Sequence, residues 1–359
     1  MTDQLRWGIA GSGSIAAHFA SDLALGRSGR VTRVWSRTAD RAAAFARRVG
    51  AATAPDLGAL ASAADVDVVY VATPPAQHAD HCLAILAAGK PVLCEKPFAT
   101  DAAAAREVVE AARAADLFCM EAMWTRFLPV MVDLRRRVRA GELGRVAQVS
   151  ADLGFARAET EANAAIVSHA AGGGALLDLG VYAVSMAHDL LGPPRDVTAR
   201  AVRSAGGNLR EVAAVMTHGP DAAPVLSVLR ASHGTQLPNR LTVSGEAGRI
   251  EIDAPFLAAR HGRQVAVHPE TTRPPPPSRL RRAVAGSPVM PILRRLTGRA
   301  GLRFGGAYPG HGLGLQADEV ARCLRSGLSE SAIMPLHETL AVAESLDRIR
   351  AAAAAAVAG

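Results

Sequence analysis

Residues 5–16, LRWGIAGSGSIA, decide the fold of the first part of this 359-residue chain. The apolar run at residues 5–10 predicts a buried β-strand, and it leads directly into the GxGxxA turn at residues 11–16. A glycine-rich turn is often no more than a turn. Between a strand and a helix, however, its glycines let the backbone approach a pyrophosphate at the positive end of that helix. The residues predicted to bind a dinucleotide here are Gly11, Gly13, Ser14 and Ile15.

Residues 1–120 continue to alternate short apolar runs with alanine-rich amphipathic stretches. This pattern is typical of strands and helices built around a parallel sheet. A helix is predicted to end at residues 89–90, and further strands are predicted at residues 31–36, 66–73 and 91–94. We therefore predict an N-terminal Rossmann dinucleotide-binding domain over residues 1–122.

The pattern changes from residue 146 onward, where apolar and polar residues alternate as in a sheet with one covered face. The alternating segments are residues 146–155, 225–233 and 240–252. Helical spacing returns at residues 314–326 and 338–357. We predict an α/β protein whose C-terminal domain, residues 123–359, is built on an open, mostly antiparallel sheet.

A basic insertion near residues 271–305 does not fit a compact sheet. No acidic residue occurs over 271–317, whereas this stretch holds eight arginines and the prolines 274–277. A solvated insertion or an oligomer arm is the favoured interpretation. A broken amphipathic helix in contact with a membrane surface or an acidic partner is the alternative. Its few aromatic residues give little support for base stacking, so no nucleic-acid partner is expected.

Composition narrows the cofactors and the compartment. The formal net charge of +7 favours anionic ligands without identifying one. The four cysteines form no CxxC pair and the histidines show no HxxxH spacing, so neither a disulfide framework nor a metal site is expected. The chain starts without a basic and apolar leader, and no uncharged apolar run reaches about 18 residues. We expect a cytoplasmic protein.

The end of the second predicted strand bears on the choice of dinucleotide. An acidic residue there usually binds the ribose hydroxyls of NAD, but this chain has Ser36, Arg37 and Thr38, followed by Arg41. Arginine pairs with a 2′-phosphate, which an acid would repel. We predict NADP, with NAD less favoured, bound through Ser36, Arg37 and Arg41. An exposed basic turn is the alternative in so arginine-rich a chain.

Two further strand ends carry candidate residues. Thr73 and Pro74 follow a strand where the nicotinamide half would pass, and His78 begins the next helix, where it either lines the cofactor or caps the helix. Glu95 and Lys96 follow another strand, and Lys96 is one of only two lysines among 40 basic residues. Unlike arginine, lysine can be tuned to exchange protons or to depress a neighbouring hydroxyl pKa. Codon bias is the alternative explanation for so few lysines.

Three motifs together resemble the Gfo/Idh/MocA oxidoreductase family over nearly the whole chain. They are the GxGxxA turn, the EKP sequence at residues 95–97 and GGGALLDLGVY at residues 172–182. The last run and EAMWTRF at residues 121–127 are most similar to the dihydrodiol dehydrogenase and xylose dehydrogenase group of that family. The resemblance implies a nicotinamide cofactor, a small-molecule substrate and an open sheet that forms a homodimer or homotetramer.

By position, the resemblance makes Lys96 the catalytic lysine, Asp178 the active-site aspartate, and Tyr182 the residue that is histidine in many members. Tyr182 would exchange the hydroxyl proton while Lys96 lowers the phenol pKa from its usual value of about 10. Asp178 would orient substrate hydroxyls or hold Lys96. The alternatives are a surface lysine, a helix-capping aspartate and a core tyrosine. The residues predicted to wall the substrate side are Trp124, Arg126 and Phe127, which fit an ordinary core equally well.

These observations favour an NADP-dependent oxidoreductase that transfers hydride between nicotinamide and a hydroxyl or carbonyl carbon of a diol, sugar or polyol. One alternative is an NAD-dependent aldose or inositol-type dehydrogenase. The other is a binding protein that senses NADP without turnover, against which the presence of both Lys96 and Tyr182 argues.

Overall fold

A six-stranded parallel sheet forms the first part of the molecule. The computed structural model describes residues 4–158, 160, 164–168, 173–267 and 301–355. The strand order is β3-β2-β1-β4-β5-β6, the order of a Rossmann dinucleotide-binding fold. Its strands are β1 Leu5–Ala10, β2 Gly29–Trp35, β3 Ala52–Thr53, β4 Val68–Val71, β5 Val92–Glu95 and β6 Cys119–Ala122. The predicted fold class is confirmed, and β1 has the predicted limits.

Helices cover this sheet, so β4 and β5 are buried along their whole length. Burial on both faces explains why these strands are continuous apolar runs rather than alternating ones. The helices are α1 Ser14–Leu25, α2 Ala39–Val49, α3 Leu57–Ser62, α4 His78–Ala87 and α5 Ala102–Ala114. Because β1 lies between β2 and β4, the chain changes direction across the sheet there. That change opens a crevice at the carboxyl ends of β1 and β4.

The second sheet has eight strands in the order β14-β13-β12-β11-β7-β10-β9-β8. Among the described strands of this sheet, only β7 and β10 pair in parallel, so the predicted mostly antiparallel sheet is confirmed. The strands are β7 Val146–Gly154, β8 Asp196–Arg203, β9 Leu209–His218, β10 Val225–Ser232, β11 Leu241–Gly245, β12 Gly248–Ile252, β13 His261–Ala266 and β14 Leu302–Gly305. The predicted segment 240–252 is in fact two antiparallel strands, because the chain reverses at residues 246–247.

The remaining helices pack on both sheets. They are α6 Pro129–Arg139, α7 Ala164–Val167, α8 Val181–Leu191, α9 Leu313–Arg325 and α10 Leu336–Ala355, and a π-helical turn at Leu176–Gly180 leads directly into α8. The last two helices, α9 and α10, pack against α1 and α5 of the first domain's helix layer. The Leu313 amide donates to Asp22 in α1 at 2.9 Å, and the Ala102 amide at the start of α5 donates to Asp347 in α10 at 2.9 Å. The domain limit at residues 122/123 stays a prediction; β6 ends at Ala122, and helices from the later part of the chain pack against α1 and α5.

Two expectations from the sequence concern the basic insertion and membrane-spanning segments. Residues 268–300, which hold most of the predicted basic insertion, lie outside the described residues. Among the helices that are described, none combines the length and the apolar character needed to cross a membrane.

Candidate active site

The carboxyl ends of β1 and β4 form a backbone cradle. Gly11 has φ +122°, and its amide donates to the Trp35 carbonyl at 2.8 Å. A Cβ atom at Gly11 would lie 2.4 Å from the Ala72 carbonyl oxygen, so only glycine fits. At Gly13, by contrast, an added Cβ would meet nothing within 4 Å. Helix α1 begins at Ser14 without a capping side chain from the described residues, so its first amides face an open space that fits a pyrophosphate.

A basic corner flanks this cradle at the end of β2. The Ser12 hydroxyl donates to Ser36 at 3.0 Å, which ties the glycine turn to that corner. Arg37 and Arg41 are exposed, and neither guanidinium group makes a hydrogen bond or an ion pair within the described part of the chain. These two guanidinium groups, with the hydroxyls of Ser12 and Ser36, fit a phosphate on the 2′ position of a dinucleotide ribose better than an unmodified ribose diol.

His78 links the loops that follow β4 and β5. It is buried, with Nε2 2.8 Å from the Thr73 carbonyl oxygen and Nδ1 2.8 Å from the Pro97 carbonyl oxygen. Burial lowers its pKa to about 4, although both carbonyl contacts act in the opposite direction. A neutral imidazole has one N–H, so it donates to one of the two oxygens. His78 thus holds the loops of Thr73 and Lys96 together rather than offering a free ring nitrogen to a cofactor.

Lys96, Asp178 and Tyr182 come together from distant parts of the chain. The Lys96 ammonium donates to the Asp178 carboxylate oxygen Oδ1 at 3.0 Å and to its backbone carbonyl at 2.8 Å. The same ammonium lies 4.8 Å from the centroid of the Tyr182 ring, over its face. The side chains of Lys96 and Asp178 are only 13% and 15% exposed. The run at residues 175–182 is helical, which places Asp178 and Tyr182 about one turn apart.

Two residues that the sequence did not single out complete the surroundings of Asp178. His233 donates through Nε2 to Oδ2 of Asp178 at 3.0 Å, and an Arg157 guanidinium nitrogen lies 3.5 Å from the same oxygen. His233 follows β10 and Arg157 follows β7, and these strands are parallel neighbours. The ends of neighbouring parallel strands meet at one sheet edge. The parallel pairing of β7 and β10 is what could have indicated Arg157 and His233, but it is known only once the strand order is known.

The charges in this group shift its pKa values. Burial opposes ionisation of both Lys96 and Asp178, yet their mutual attraction prevails: the lysine pKa is raised and the aspartate pKa is lowered. Burial raises the Tyr182 pKa, and the Lys96 charge lowers it only partly. The expected net lowering of the phenol pKa is therefore wrong for the protein alone. The charges of Glu95 and Asp178 add to the rise of the Tyr182 pKa, because both disfavour a phenolate.

Glu95 lies beneath the Lys96 loop rather than at the crevice surface. It is buried, and it accepts hydrogen bonds from the Tyr70 hydroxyl at 2.5 Å and from the Lys96 amide at 3.2 Å. Burial raises its pKa despite these bonds. Its contacts within the described residues fix the lysine backbone, so its predicted contact with a cofactor would be indirect.

The three predicted wall residues separate in the structure. The Trp124 indole donates to the Tyr182 hydroxyl at 3.1 Å, and Trp124 and Phe127 are each 6% exposed. Arg126 is fully buried, and its guanidinium donates to Ser185 in α8 and to Glu338 in α10. The structure therefore brings Trp124 to the Lys96 group and directs Arg126 away from it. A 3₁₀ turn at Trp124–Phe127 separates these side chains, and the sequence pattern did not indicate it.

A dinucleotide cradle beside a buried lysine, tyrosine and aspartate defines a class of protein, the nicotinamide-dependent oxidoreductases. Residues 5–123 match the Gfo/Idh/MocA oxidoreductase family with an NAD-binding Rossmann fold, and residues 131–251 match a C-terminal domain of that family. The chain belongs to the Gfo/Idh/MocA oxidoreductase family. The predicted family and enzyme class are confirmed.

Characterised relatives match nearly the whole chain. A D-xylose 1-dehydrogenase (NADP(+)) from Hypocrea jecorina is 32% identical, with 96% of this chain and 90% of that protein covered. Trans-1,2-dihydrobenzene-1,2-diol dehydrogenases from Macaca fascicularis and Homo sapiens are 34% and 33% identical, with 97% of this chain and 96% of each relative covered. These are the two groups that the sequence motifs indicated.

Solved structures share the fold. An aldose-aldose oxidoreductase from Caulobacter crescentus, complexed with glycerol, has a TM-score of 0.79 at 22% identity, covering 99% of this chain and 98% of that one. A 3-ketoreductase from Actinomadura kijaniata, in complex with NADP, has a TM-score of 0.74 at 23% identity, covering 98% of both chains. The predicted nicotinamide dinucleotide agrees with these findings, and NADP is the form named for the ketoreductase complex and the xylose dehydrogenase.

Within the described residues, no group of three or more His, Cys, Asp and Glu side chains is placed to hold a metal ion.

Proposed function

We propose that this protein is an NADP-dependent oxidoreductase that transfers hydride between nicotinamide and a hydroxyl or carbonyl carbon of a diol, sugar or polyol. The observation that carries this proposal is the Lys96 ammonium, held between the Asp178 carboxylate and the face of the Tyr182 ring. The names of the xylose and dihydrodiol dehydrogenases support the same substrate classes.

The cofactor, when bound, would accept the hydride as NADP(+) in oxidation and would supply it as NADPH in reduction. In reduction, the Tyr182 hydroxyl donates its proton to the carbonyl oxygen as the carbonyl carbon gains hydride, and the phenolate then regains a proton from water. In oxidation, the Tyr182 phenolate takes the hydroxyl proton while Lys96 stabilises the negative ring. The raised Tyr182 pKa keeps the phenol protonated at neutral pH, which suits the reductive direction.

We assign the other predicted residues by their positions. Gly11, Gly13, Ser14 and Ile15 would bind the pyrophosphate, and Thr73, Pro74 and Lys96 would border the nicotinamide half. Asp178 would orient Lys96 and a substrate hydroxyl, with Trp124 beside the reacting group. His78 and Glu95 would act by positioning these loops. Residues 1–122 would thus supply the cofactor site and residues 123–359 most of the substrate site.

The preference for NADP rests on Arg37 and Arg41, which are exposed beside Ser36. Replacing Arg37 by Asp should weaken NADPH binding more than tenfold and leave NADH binding nearly unchanged, because only NADPH carries the 2′-phosphate. Titration with each cofactor, followed by nicotinamide fluorescence, measures both affinities. Arg47→Asp serves as the control, because it makes the same charge change at a different exposed position, near the end of α2. Equal losses for the two cofactors would remove this account and favour the NAD-dependent alternative.

Turnover tests the reaction itself. A panel of vicinal diols, aldoses, inositols and matching carbonyl compounds, offered with the cofactor that binds, should give NADPH formation or consumption with one class. Binding of NADPH without any turnover would favour the NADP-sensing alternative. No binding of either cofactor would reduce the glycine turn to a structural element.

We also propose that the protein is a homodimer or homotetramer that assembles through the open face of its second sheet. Val215 and Val228 pair across β9 and β10 on that face, and Leu226 beside them is 41% exposed. A cytoplasmic location is supported by the four free, buried cysteines, since unpaired thiols persist in reducing compartments.

A further inference from the structure

A second cationic feature lies on the Oδ2 side of Asp178, where Lys96 makes no contact. It is a small cleft lined by Arg157, Val167, Asn208, Leu209, Arg210 and His233. The proposed hydride and proton transfers use neither arginine. We call this feature the arginine cleft.

Arg157 is held only loosely in the arginine cleft. Its nearest nitrogen lies 3.5 Å from Oδ2 of Asp178, beyond an ordinary N–H···O hydrogen bond, and that oxygen already accepts from His233 at 3.0 Å. The Arg157 Nε atom is buried and has no hydrogen-bond partner among the described residues. Because its side chain is also 30% exposed, the guanidinium retains donors for a ligand.

Among the residues that the structure describes, positive charge exceeds negative charge at the arginine cleft. Lys96 already pairs with Asp178 at 3.0 Å, so Arg157 adds a positive charge, and exposed Arg210 adds another without an ion pair to any described residue. No carboxylate belongs to the described residues that line the cleft. The neighbouring Glu211 instead borders a groove with residues of β8 and β10 and accepts from the Ser232 hydroxyl at 2.9 Å. Even when Glu211 is counted, one cation remains in excess within the described part of the cleft.

We propose that the arginine cleft binds an acidic group of the substrate. The substrate would then be a hydroxy compound with a carboxylate or phosphate several bonds from the reacting carbon, as in a sugar acid or sugar phosphate. This inference rests on the proposed function, because it names the substrate class for the same site. Guanidinium groups bind both oxyanions through paired N–H donors. Val167 and Leu209 supply apolar walls that limit water and strengthen the attraction.

Matched sugars test this inference through turnover. NADP reduction is measured with D-glucose, D-glucuronate and D-glucose 6-phosphate, which differ only at the sixth carbon. We expect kcat/KM to be about tenfold or more higher for one of the acids than for glucose, and the preferred acid identifies the oxyanion. Arg157→Gln and Arg210→Gln should each lower this acid-to-neutral ratio about tenfold. A ratio that favours glucose, or that both variants leave unchanged, would overturn the inference.

Arg145→Gln is the matched control, since Arg145 is an exposed arginine that pairs with Glu246 away from the cleft, at 2.8 Å. It should leave the acid-to-neutral ratio as it is in the unmodified protein. Because only ratios are compared, a general loss of activity in Arg157→Gln, which contacts Asp178, does not imitate the expected result.

Binding separates this inference from the proposed reaction. The NADP-loaded protein is titrated calorimetrically with D-glucuronate, D-glucose and inorganic phosphate, which tests the arginines independently of any sugar. Binding of glucuronate or phosphate that Arg157→Gln weakens about tenfold supports the cleft, even if no sugar is oxidised and the proposed reaction fails. If neither acid binds, the cleft inference is overturned, even if diols are turned over.

Discussion

Lys96 holds a position where a point charge is required. Its ammonium donates twice to Asp178 and lies over the Tyr182 ring, in a site that leaves 13% of the side chain exposed. A guanidinium keeps the charge, but it is planar and wider, and it cannot occupy this space with the same geometry. Lys96→Arg should therefore lower kcat about a hundredfold or more, which steady-state NADPH assays would measure.

Lys90→Arg is the matched control for that change. The Lys90 ammonium donates only to backbone carbonyls of Ala63 and Val66 within the described residues, at 3.1 and 2.7 Å. Near-normal turnover is expected for this variant. If Lys96→Arg were equally active, the proton-relay role would be wrong and the scarcity of lysine would reflect codon usage.

Glu121 is a buried carboxyl whose ionisation opposes folding. Burial raises its pKa to about 7, although the Arg126 charge and a hydrogen bond from the Phe98 amide act against this. A raised folded-state pKa stabilises the protein most below the unfolded-state pKa of about 4.3, and that stability is lost as pH rises through about 7. The shift corresponds to about 4 kcal/mol at most.

Glu121→Gln removes this titration and keeps an oxygen for the Phe98 amide. The free energy of unfolding of the variant, relative to the unmodified protein, should therefore rise by about 1 to 3 kcal/mol between pH 5 and pH 8. Urea unfolding of both proteins across this range measures the difference. A difference that does not change with pH would show that Glu121 stays ionised throughout.

For individual residues, the sequence predicted which residues belong to the site better than it predicted where their side chains point. Lys96, Asp178 and Tyr182 were predicted together, and the structure brings them into contact. Arg126, predicted beside them, points to Glu338 instead. His233 and Arg157 were missed because each reaches Asp178 across a strand pairing that no local pattern encodes. The net rise of the Tyr182 pKa depends on burial, which a motif does not report.

In the turn between β1 and α1, Gly11 is required by the fold, whereas Gly13 leaves space that a ligand can occupy. Gly11 has φ +122°, and a side chain there would strike the Ala72 carbonyl, whereas a methyl group at Gly13 would project into open space. Gly11→Ala should therefore destabilise the fold by more than about 1 kcal/mol. Gly13→Ala should keep the melting temperature nearly unchanged and weaken NADPH binding, because its methyl group occupies the proposed pyrophosphate space.

Thermal unfolding and NADPH titration of both variants give the two readouts. The two variants control for each other, since each adds one methyl group to the same turn. Unchanged NADPH affinity in Gly13→Ala would place the pyrophosphate elsewhere, and an unchanged melting temperature in Gly11→Ala would contradict the steric argument.

Whole elements were predictable where one local signal dominates. Strand β1 has its predicted limits because an apolar run ends at a glycine turn. Strands β2, β4 and β5 shift by one to two residues at their ends, because pairing with neighbours rather than hydrophobicity decides where a strand stops. The hairpin of β11 and β12 was missed, since its two-residue reversal at 246–247 carries no asparagine–glycine or aspartate–glycine turn signal.

The whole molecule depends on contacts between residues far apart in sequence. The parallel pairing of β7 with β10 brings Arg157 and His233 to one edge, although 70 or more residues separate these strands. Helices α9 and α10 pack back on α1 and α5, through Asp22 and Asp347 among others. Neither arrangement follows from periodicity, because periodicity fixes which face is apolar and not which surface covers it.

The open face of the second sheet leads to a prediction about assembly. Val215, Val228 and Leu226 form an apolar surface there, and solvent-exposed apolar patches of this kind favour association. A charge within this surface should prevent that association, because an unpaired arginine would be buried between subunits. Leu226→Arg should therefore lower the mass measured by sedimentation velocity from a dimer or tetramer to a smaller species.

Val132→Arg, at a 45% exposed position on α6, is the control and should leave the measured mass unchanged. A Leu226→Arg variant with the unmodified protein's mass would place the interface elsewhere, whereas a monomeric unmodified protein would remove the oligomer altogether.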